Sequence, residues 1–170
     1  MAKIKIELSN GKSMTVVIDE QTAPITAQNF LKYVDDGFYS NTIFHRVIPN
    51  FMIQGGGFIE GGMGIEDKPA TYPPIKGEFL ANGVQNPIKH QPGVISMART
   101  QVKNSATSQF FICVADCSFL DGQYASFGSL ADEESLKVAC DISKVKTHSW
   151  GYYDDIPNDP IVIKSVIRVE

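Results

Sequence analysis

Phe44-His45-Arg46-Val47-Ile48-Pro49-Asn50-Phe51-Met52-Ile53-Gln54-Gly55-Gly56-Gly57 reads as a strand, a turn at Pro49-Asn50, and a second strand that stops at a run of glycines. Such a hairpin brings Arg46 back alongside Met52 and Gln54. Side chains alternate between the two faces of a strand, so Met52 and Gln54 share one face while Ile53 points to the other. One face therefore presents a fixed cation and an amide beside an apolar wall formed with Phe51. Nothing in that set is an acid, a base or a nucleophile. It suits an uncharged substrate whose bond is twisted rather than cut.

Working outward, Ser96-Met97-Ala98-Arg99 and Thr107-Ser108-Gln109-Phe110-Phe111-Ile112-Cys113-Val114 repeat the theme. The same alternation puts Gln109, Phe111 and Cys113 on one face and Phe110, Ile112 and Val114 on the other. One face must be core; the other carries a second pairing of Gln with an apolar ring. A third stretch, residues 118–128, turns at Asp121-Gly122 and adds Phe119, Leu120 and Tyr124.

These segments resemble the cyclophilin family of peptidyl-prolyl cis-trans isomerases, the match resting on residues 44–57, 93–98, 108–114 and 120–128. Arg99-Thr100 with Asn104-Ser105-Ala106-Thr107 is similar to the bacterial, cytosolic branch. The resemblance covers nearly the whole chain and implies one isomerase domain over residues 1–170. It implies a mainly β fold, a closed eight-stranded antiparallel β-barrel capped by two α-helices, with the substrate groove on the outer wall. It also implies roles: Arg46, Gln54 and Phe51 as the catalytic set, with Gln54 helping to fix Arg46. Met52, Phe111 and Leu120 then line the proline pocket with Phe51, and Ala98 and Arg99 hold the residue before proline. Gln109, Phe119 and Tyr124 complete the substrate-binding surface. Phe51, Met52, Phe111 and Leu120 are expected to be partly exposed, as an apolar binding patch requires. Phe119 and Tyr124 stand where the best-known eukaryotic members carry Trp and His. Without the indole N–H, weaker cyclosporin binding with retained catalysis is expected.

The residues read for themselves agree with that architecture. Strand-like alternation recurs at residues 4–8, 13–18, 42–47, 52–54, 94–98, 110–114 and 161–169, with turns at Asn10-Gly11, Pro49-Asn50 and Asp121-Gly122. A first helix is predicted over residues 24–36, with Pro24 at its start, Gly37 after its end and a stripe of Ala27, Phe30, Leu31, Val34 and Phe38. A second is predicted over residues 132–143, opened by Asp132-Glu133-Glu134, with Leu136, Ala139, Cys140 and Ile142 as its buried side. Many short strands with two helices favour closure, which removes exposed edges. Residues 61–86, rich in Gly, Pro and charge, read as long surface loops with little regular structure.

With 170 residues, 43% hydrophobic and 20% charged, the chain can bury a sizeable core and is not of disordered composition. A net charge of −4 without any Lys/Arg run argues against nucleic acid and anionic membranes as partners. The N-terminus alternates charged and apolar residues, unlike a leader peptide, so cytoplasmic residence is expected. The odd number of cysteines, Cys113, Cys117 and Cys140, suggests reduced thiols. No zinc-ligand spacing occurs and no metal or cofactor is expected. His45 is expected to be a hydrogen-bonded structural histidine, His90 and His148 to be solvated, and Trp150 to anchor a packed loop. No Ser or Cys stands in a recognisable arrangement with His and a carboxylate, which removes a hydrolase. Two functions remain: an isomerase acting on X-Pro bonds in proline-containing polypeptides, or a proline-peptide binding module or holdase without rate enhancement. Retained Arg46 favours the enzyme, and a monomer is the default.

Overall fold

The computed structural model describes residues 1–61 and 64–170. Its order is β1 (Ala2–Leu8), β2 (Ser13–Ile18), α1 (Pro24–Asp35), β3 (Arg46–Ile48), β4 (Met52–Gly55), β5 (Phe58–Gly61), β6 (Gly64–Asp67), β7 (Val94–Met97), β8 (Phe110–Cys113), β9 (Ser126–Leu130), α2 (Glu133–Ser143), β10 (Thr147–Trp150), β11 (Tyr153–Pro157) and β12 (Ile163–Val169). Eight strands form one antiparallel sheet in the order β12-β1-β2-β9-β7-β8-β4-β3. Short 3-10 turns at Leu80–Asn82 and Ser118–Leu120 punctuate the long connections.

The register explains how one sheet separates core from groove. Val47, Ile53, Ile112, Ile95 and Gly128 stand opposite one another across β3, β4, β8, β7 and β9, and the large members of that row are fully buried in the main core. The neighbouring row runs Arg46, Gln54, Phe111, Ser96 and points the other way. A strand period of two makes this division obligatory once the core face is chosen. Gly128 is needed where it lies, because a Cβ there would meet the Val17 carbonyl oxygen at 2.2 Å.

Both helices enter the same core. From α1 come Ala27, Phe30, Leu31, Tyr33 and Val34; Phe30 packs edge-on to Phe110 at 5.6 Å between ring centres. Pro24 opens α1, but Ala23 offers no capping side chain. The cap comes from far along the chain: buried Glu78 accepts the Thr26 backbone N–H and hydroxyl, both at 2.6 Å. In α2, Asp132 caps the helix by accepting the Ser135 N–H at 2.8 Å. That bond and the one from the Ser135 side chain hold its carboxyl below the usual range.

Several expectations need correction. The sheet is an open half-barrel, not a closed barrel: no strand ladder joins its edges β3 and β12. The chain leaves the ladder at residues 42–45, before β3 begins. Only an isolated bridge, Ile43 to Val162, and single bonds such as Phe44 N–H to the Ile161 carbonyl (3.0 Å) cross the seam. The presumed loop at residues 61–86 contains β6, which pairs with β5 as a separate hairpin; of that stretch, residues 62 and 63 lie outside the described residues. A second separate hairpin, β10–β11, stands near the chain end. On α2 the buried residues are Ser135, Ala139, Ile142 and Ser143, while Leu136 and Cys140 are only partly covered.

Candidate functional site

Arg46, Phe51, Met52, Gln54, Ala98, Arg99, Phe111, Leu120 and Tyr124 surround one cavity of about 170 Å³ on the sheet's outer face. Register accounts for much of this. Arg46 lies opposite Gln54, Gln54 opposite Phe111, and Met52 opposite Cys113. The turn that folds β4 back on β3 uses Asn50 with φ of 61°, a left-handed conformation that Asn tolerates better than most residues.

The polar side of the cavity is a relay of amides. Arg46 Nη1 donates to Gln54 Oε1 at 3.3 Å, and Gln54 Nε2 donates to Gln109 Oε1 at 3.1 Å. Gln109 therefore acts behind Gln54 instead of lining the cavity. Holding Arg46 through one N–H leaves the rest of its fork free. Arg99 is engaged: Nε and Nη2 donate to the Gln123 carbonyl and Nη1 to that of Thr100. Its guanidinium also lies 4.6 Å from the centre of the Tyr124 ring and 4.8 Å from that of Phe79. Arg99 is thus held as a fixed wall through three of its N–H groups.

The apolar side is deeper than expected. Met52 and Phe111 are 2% and 5% exposed, so they form the cavity floor, and the partly exposed members are Phe51 and Leu120. They belong to a small cluster with Cys113 and Cys117. Burial raises both thiols above the ordinary range, so neither is a ready nucleophile. All three cysteines are free. Phe119 is outside the cavity, 68% exposed, its ring 5.6 Å from that of Phe51 on the rim.

The sequence reading missed the support beneath Phe111. His90, expected in solvent, is buried and stacks on Phe111 at 6.0 Å with 15° between planes. Its Nδ1 lies 2.9 Å from Asp121 Oδ1, its Nε2 2.9 Å from Ser96 Oγ, and its backbone N–H donates to Asp121 at 2.7 Å. A carboxylate facing Nδ1 places the ring proton there, leaving Nε2 to accept from the Ser96 hydroxyl. Burial lowers the pKa of His90, with Asp121 opposing. Burial by itself would raise Asp121, but the His90 bonds outweigh it and hold the carboxyl low. The hint in the sequence was Asp121 at the Asp-Gly turn, but nothing local joins it to His90.

His45 also departs from expectation. It is buried on Phe58, 4.3 Å between ring centres, and its Nδ1 has no hydrogen-bond partner. Burial, then the neighbouring Arg46 charge, push its pKa down to about 4. His148 is exposed and lies 2.9 Å from Asn158 Oδ1. Trp150, in β10 rather than a loop, packs over Gly64, where a Cβ would meet its ring at 2.6 Å. Among the described residues no group of His, Cys, Asp and Glu is placed to hold a metal ion, and no helix is long and apolar enough to cross a membrane.

An apolar pocket beside one cation held by supporting amides thus lies on the outer face of the open β-sheet. The chain belongs to the cyclophilin type peptidyl-prolyl cis-trans isomerase family, whose model matches residues 3–168. It is 48% identical over 162 residues to peptidyl-prolyl cis-trans isomerase A of Dickeya dadantii, covering 92% of this chain and 80% of that one. It is 42% identical to peptidyl-prolyl cis-trans isomerase B of Escherichia coli, covering 93% and 94%. Among solved structures, a cyclophilin type isomerase of Cryptosporidium parvum, crystallised in the presence of the dipeptide Ala-Pro, superposes with a TM-score of 0.74. That match is 27% identical and covers 99% of each chain. The enzyme class is therefore peptidyl-prolyl cis-trans isomerase.

Proposed function

We propose that the cavity holds a substrate proline against Met52, Phe111, Phe51 and Leu120 while Arg46 donates to the prolyl nitrogen as the X-Pro bond twists. Amide resonance sets a barrier of roughly 18–20 kcal/mol to that rotation. In the twisted state the nitrogen regains lone-pair character and accepts a hydrogen bond that neither planar isomer accepts as well. Tighter binding of the twisted form is all that catalysis needs. An acceleration of ~10⁵ requires about 7 kcal/mol, of which one preorganised donor supplies ~3–4 kcal/mol. The remainder falls to the buried floor, which clamps the ring while the acyl side rotates.

The observation that carries this reading is the Gln109–Gln54–Arg46 relay beside a buried apolar floor. A binding module or holdase has no need of a guanidinium fixed next to its proline pocket. Ala98 and Arg99 offer backbone to the residue before proline, and Tyr124 and Phe119 bound the groove. Clients are proline-containing polypeptides whose folding waits on isomerisation. Free cysteines suit the reducing cytoplasm, and the single isomerase domain acts as a monomer that binds cyclosporin weakly.

Exchange NMR on an Ala-Pro peptide tests the assignment. Accelerated cis-trans exchange is expected; peptide binding without acceleration would make the protein a binding module.

A further inference from the structure

On the far side of Arg46 lies a second, larger depression of about 540 Å³. It continues the proline groove, because Arg46 and Gln54 line both and Gln109, the partner of Gln54, lines the second. Asp67, at the end of β6, and Asp154 and Asp155, on β11, contribute its charge. At its base Phe58 and Tyr153 meet edge-on, 5.2 Å apart, beside His45.

Its electrostatics are one-sided. Three carboxylates face a single guanidinium. The ion pairs among the described residues, Arg168 with Asp35 and His90 with Asp121, involve none of them. Lys68, next to Asp67, is turned away: its ammonium donates to the Phe38 carbonyl and sits 4.5 Å over the Phe38 ring. Asp154 takes a hydrogen bond from the Ser149 hydroxyl at 2.6 Å, which orients the carboxylate without neutralising it. His45, 5% exposed, adds a neutral ring whose Nδ1 is unpartnered. A buried polar atom left in that state is rare.

We propose that this depression is a specificity annex of the isomerase, recognising a lysine or arginine side chain near the substrate proline. A cation there meets a surplus of carboxylate, aromatic faces at the base and a neutral imidazole. An acidic side chain meets the same carboxylates and is repelled. The inference rests on the groove being the isomerisation site. It adds to that reading a substrate class: X-Pro sequences flanked by basic residues.

The test compares peptides with an Ala-Pro core that carry Lys, Glu or Ala two residues before or two residues after the proline. Exchange NMR gives kcat/KM for each, and titration gives Kd. At low salt the Lys peptide is expected to exceed its Glu counterpart by about tenfold, on one side of the proline only, with the gap shrinking at high ionic strength. In the triple variant Asp67→Asn/Asp154→Asn/Asp155→Asn the two peptides should converge while the Ala-flanked rate stays unchanged. Asn tolerates the left-handed φ of 60° at position 155. A control triple on α2, Glu133→Gln/Glu134→Gln/Asp141→Asn, alters net charge equally, lies outside this depression, and should keep the preference. Equal rates for Lys and Glu peptides, a preference that survives the annex triple, or one lost equally in the α2 control would overturn the annex. Failure of every peptide to exchange faster would instead refute the isomerase reading, and the Kd ratio would still decide the annex.

Discussion

Replacing Arg46 by Ala separates the donor from the clamp. The side chain is half-buried, makes one side-chain hydrogen bond, at 3.3 Å to Gln54, and is in none of the ion pairs among the described residues. Its removal should therefore cost the fold only about 0.5–1.5 kcal/mol, the net worth of an ordinary hydrogen bond. The catalytic cost is larger. A charged donor aimed at a developing lone pair contributes ~3–4 kcal/mol, so kcat/KM should fall by roughly 10²–10³. The loss should appear in kcat, because Met52 and Phe111 still bind the ring and KM reports mostly that apolar grip. Exchange NMR with an Ala-Pro peptide measures both, and urea unfolding measures the stability change. Arg46→Lys sharpens the test: an ammonium keeps the charge but lacks the planar fork that meets Gln54 and the substrate together. It should stay at least about tenfold below wild type. A rate for Arg46→Ala within fivefold of wild type, or full rescue by Lys, would refute the argument.

Four further outcomes follow from particular residues. His45 has a pKa of about 4 in the fold against 6.5 for an ordinary histidine, so folding favours the neutral ring. The stability it confers is complete above about pH 6.5 and is lost as pH falls from there through 4, by at most about 3 kcal/mol. His45→Phe should flatten that part of the urea-midpoint profile, and an unchanged profile would show that His45 is not its source. For the same reason the isomerisation rate should be nearly flat between about pH 6 and 9, since arginine does not titrate there; a bell centred near 7 would point to an acid–base group instead. Gly128→Ala would force a Cβ to 2.2 Å from the Val17 carbonyl oxygen and 3.2 Å from Ile18 Cα. Strain of ~2–3 kcal/mol should lower Tm by roughly 4–12 °C, which calorimetry would detect. Phe119→Trp adds an indole N–H on the exposed rim beside Phe51. Cyclosporin affinity by fluorescence titration should tighten about tenfold with kcat/KM retained; nanomolar binding by the unaltered protein would contradict the premise.

The legible part of the site is the part written in strand alternation. Met52 and Gln54 on one face, Ile53 on the other, and Phe111 in step with them follow from a period of two and are found so. The helices were legible because Pro24, Gly37 and Asp132 are local start and stop signals. His90 was not, because its partners Ser96 and Asp121 are 6 and 31 residues away and meet only when β7 packs beside the Asp-Gly turn. Nor was Glu78 as the cap of a helix 52 residues earlier. The two small hairpins escaped because β5–β6 and β10–β11 are four or five residues each and lack a clean apolar–polar alternation.

By itself the sequence determined the family, the face on which Arg46, Gln54 and Phe111 lie, and the absence of any cleavage chemistry among them. Those are properties of residue type and local period. Tertiary structure decided how deep Met52 and Phe111 sit, that the sheet stays open between β3 and β12, and that His90 underlies the pocket. It also brought Asp67 and Asp155, 88 residues apart, to one depression beside Arg46. Burial, edge closure and long-range electrostatics depend on which elements pack together, and no local pattern of side chains specifies that.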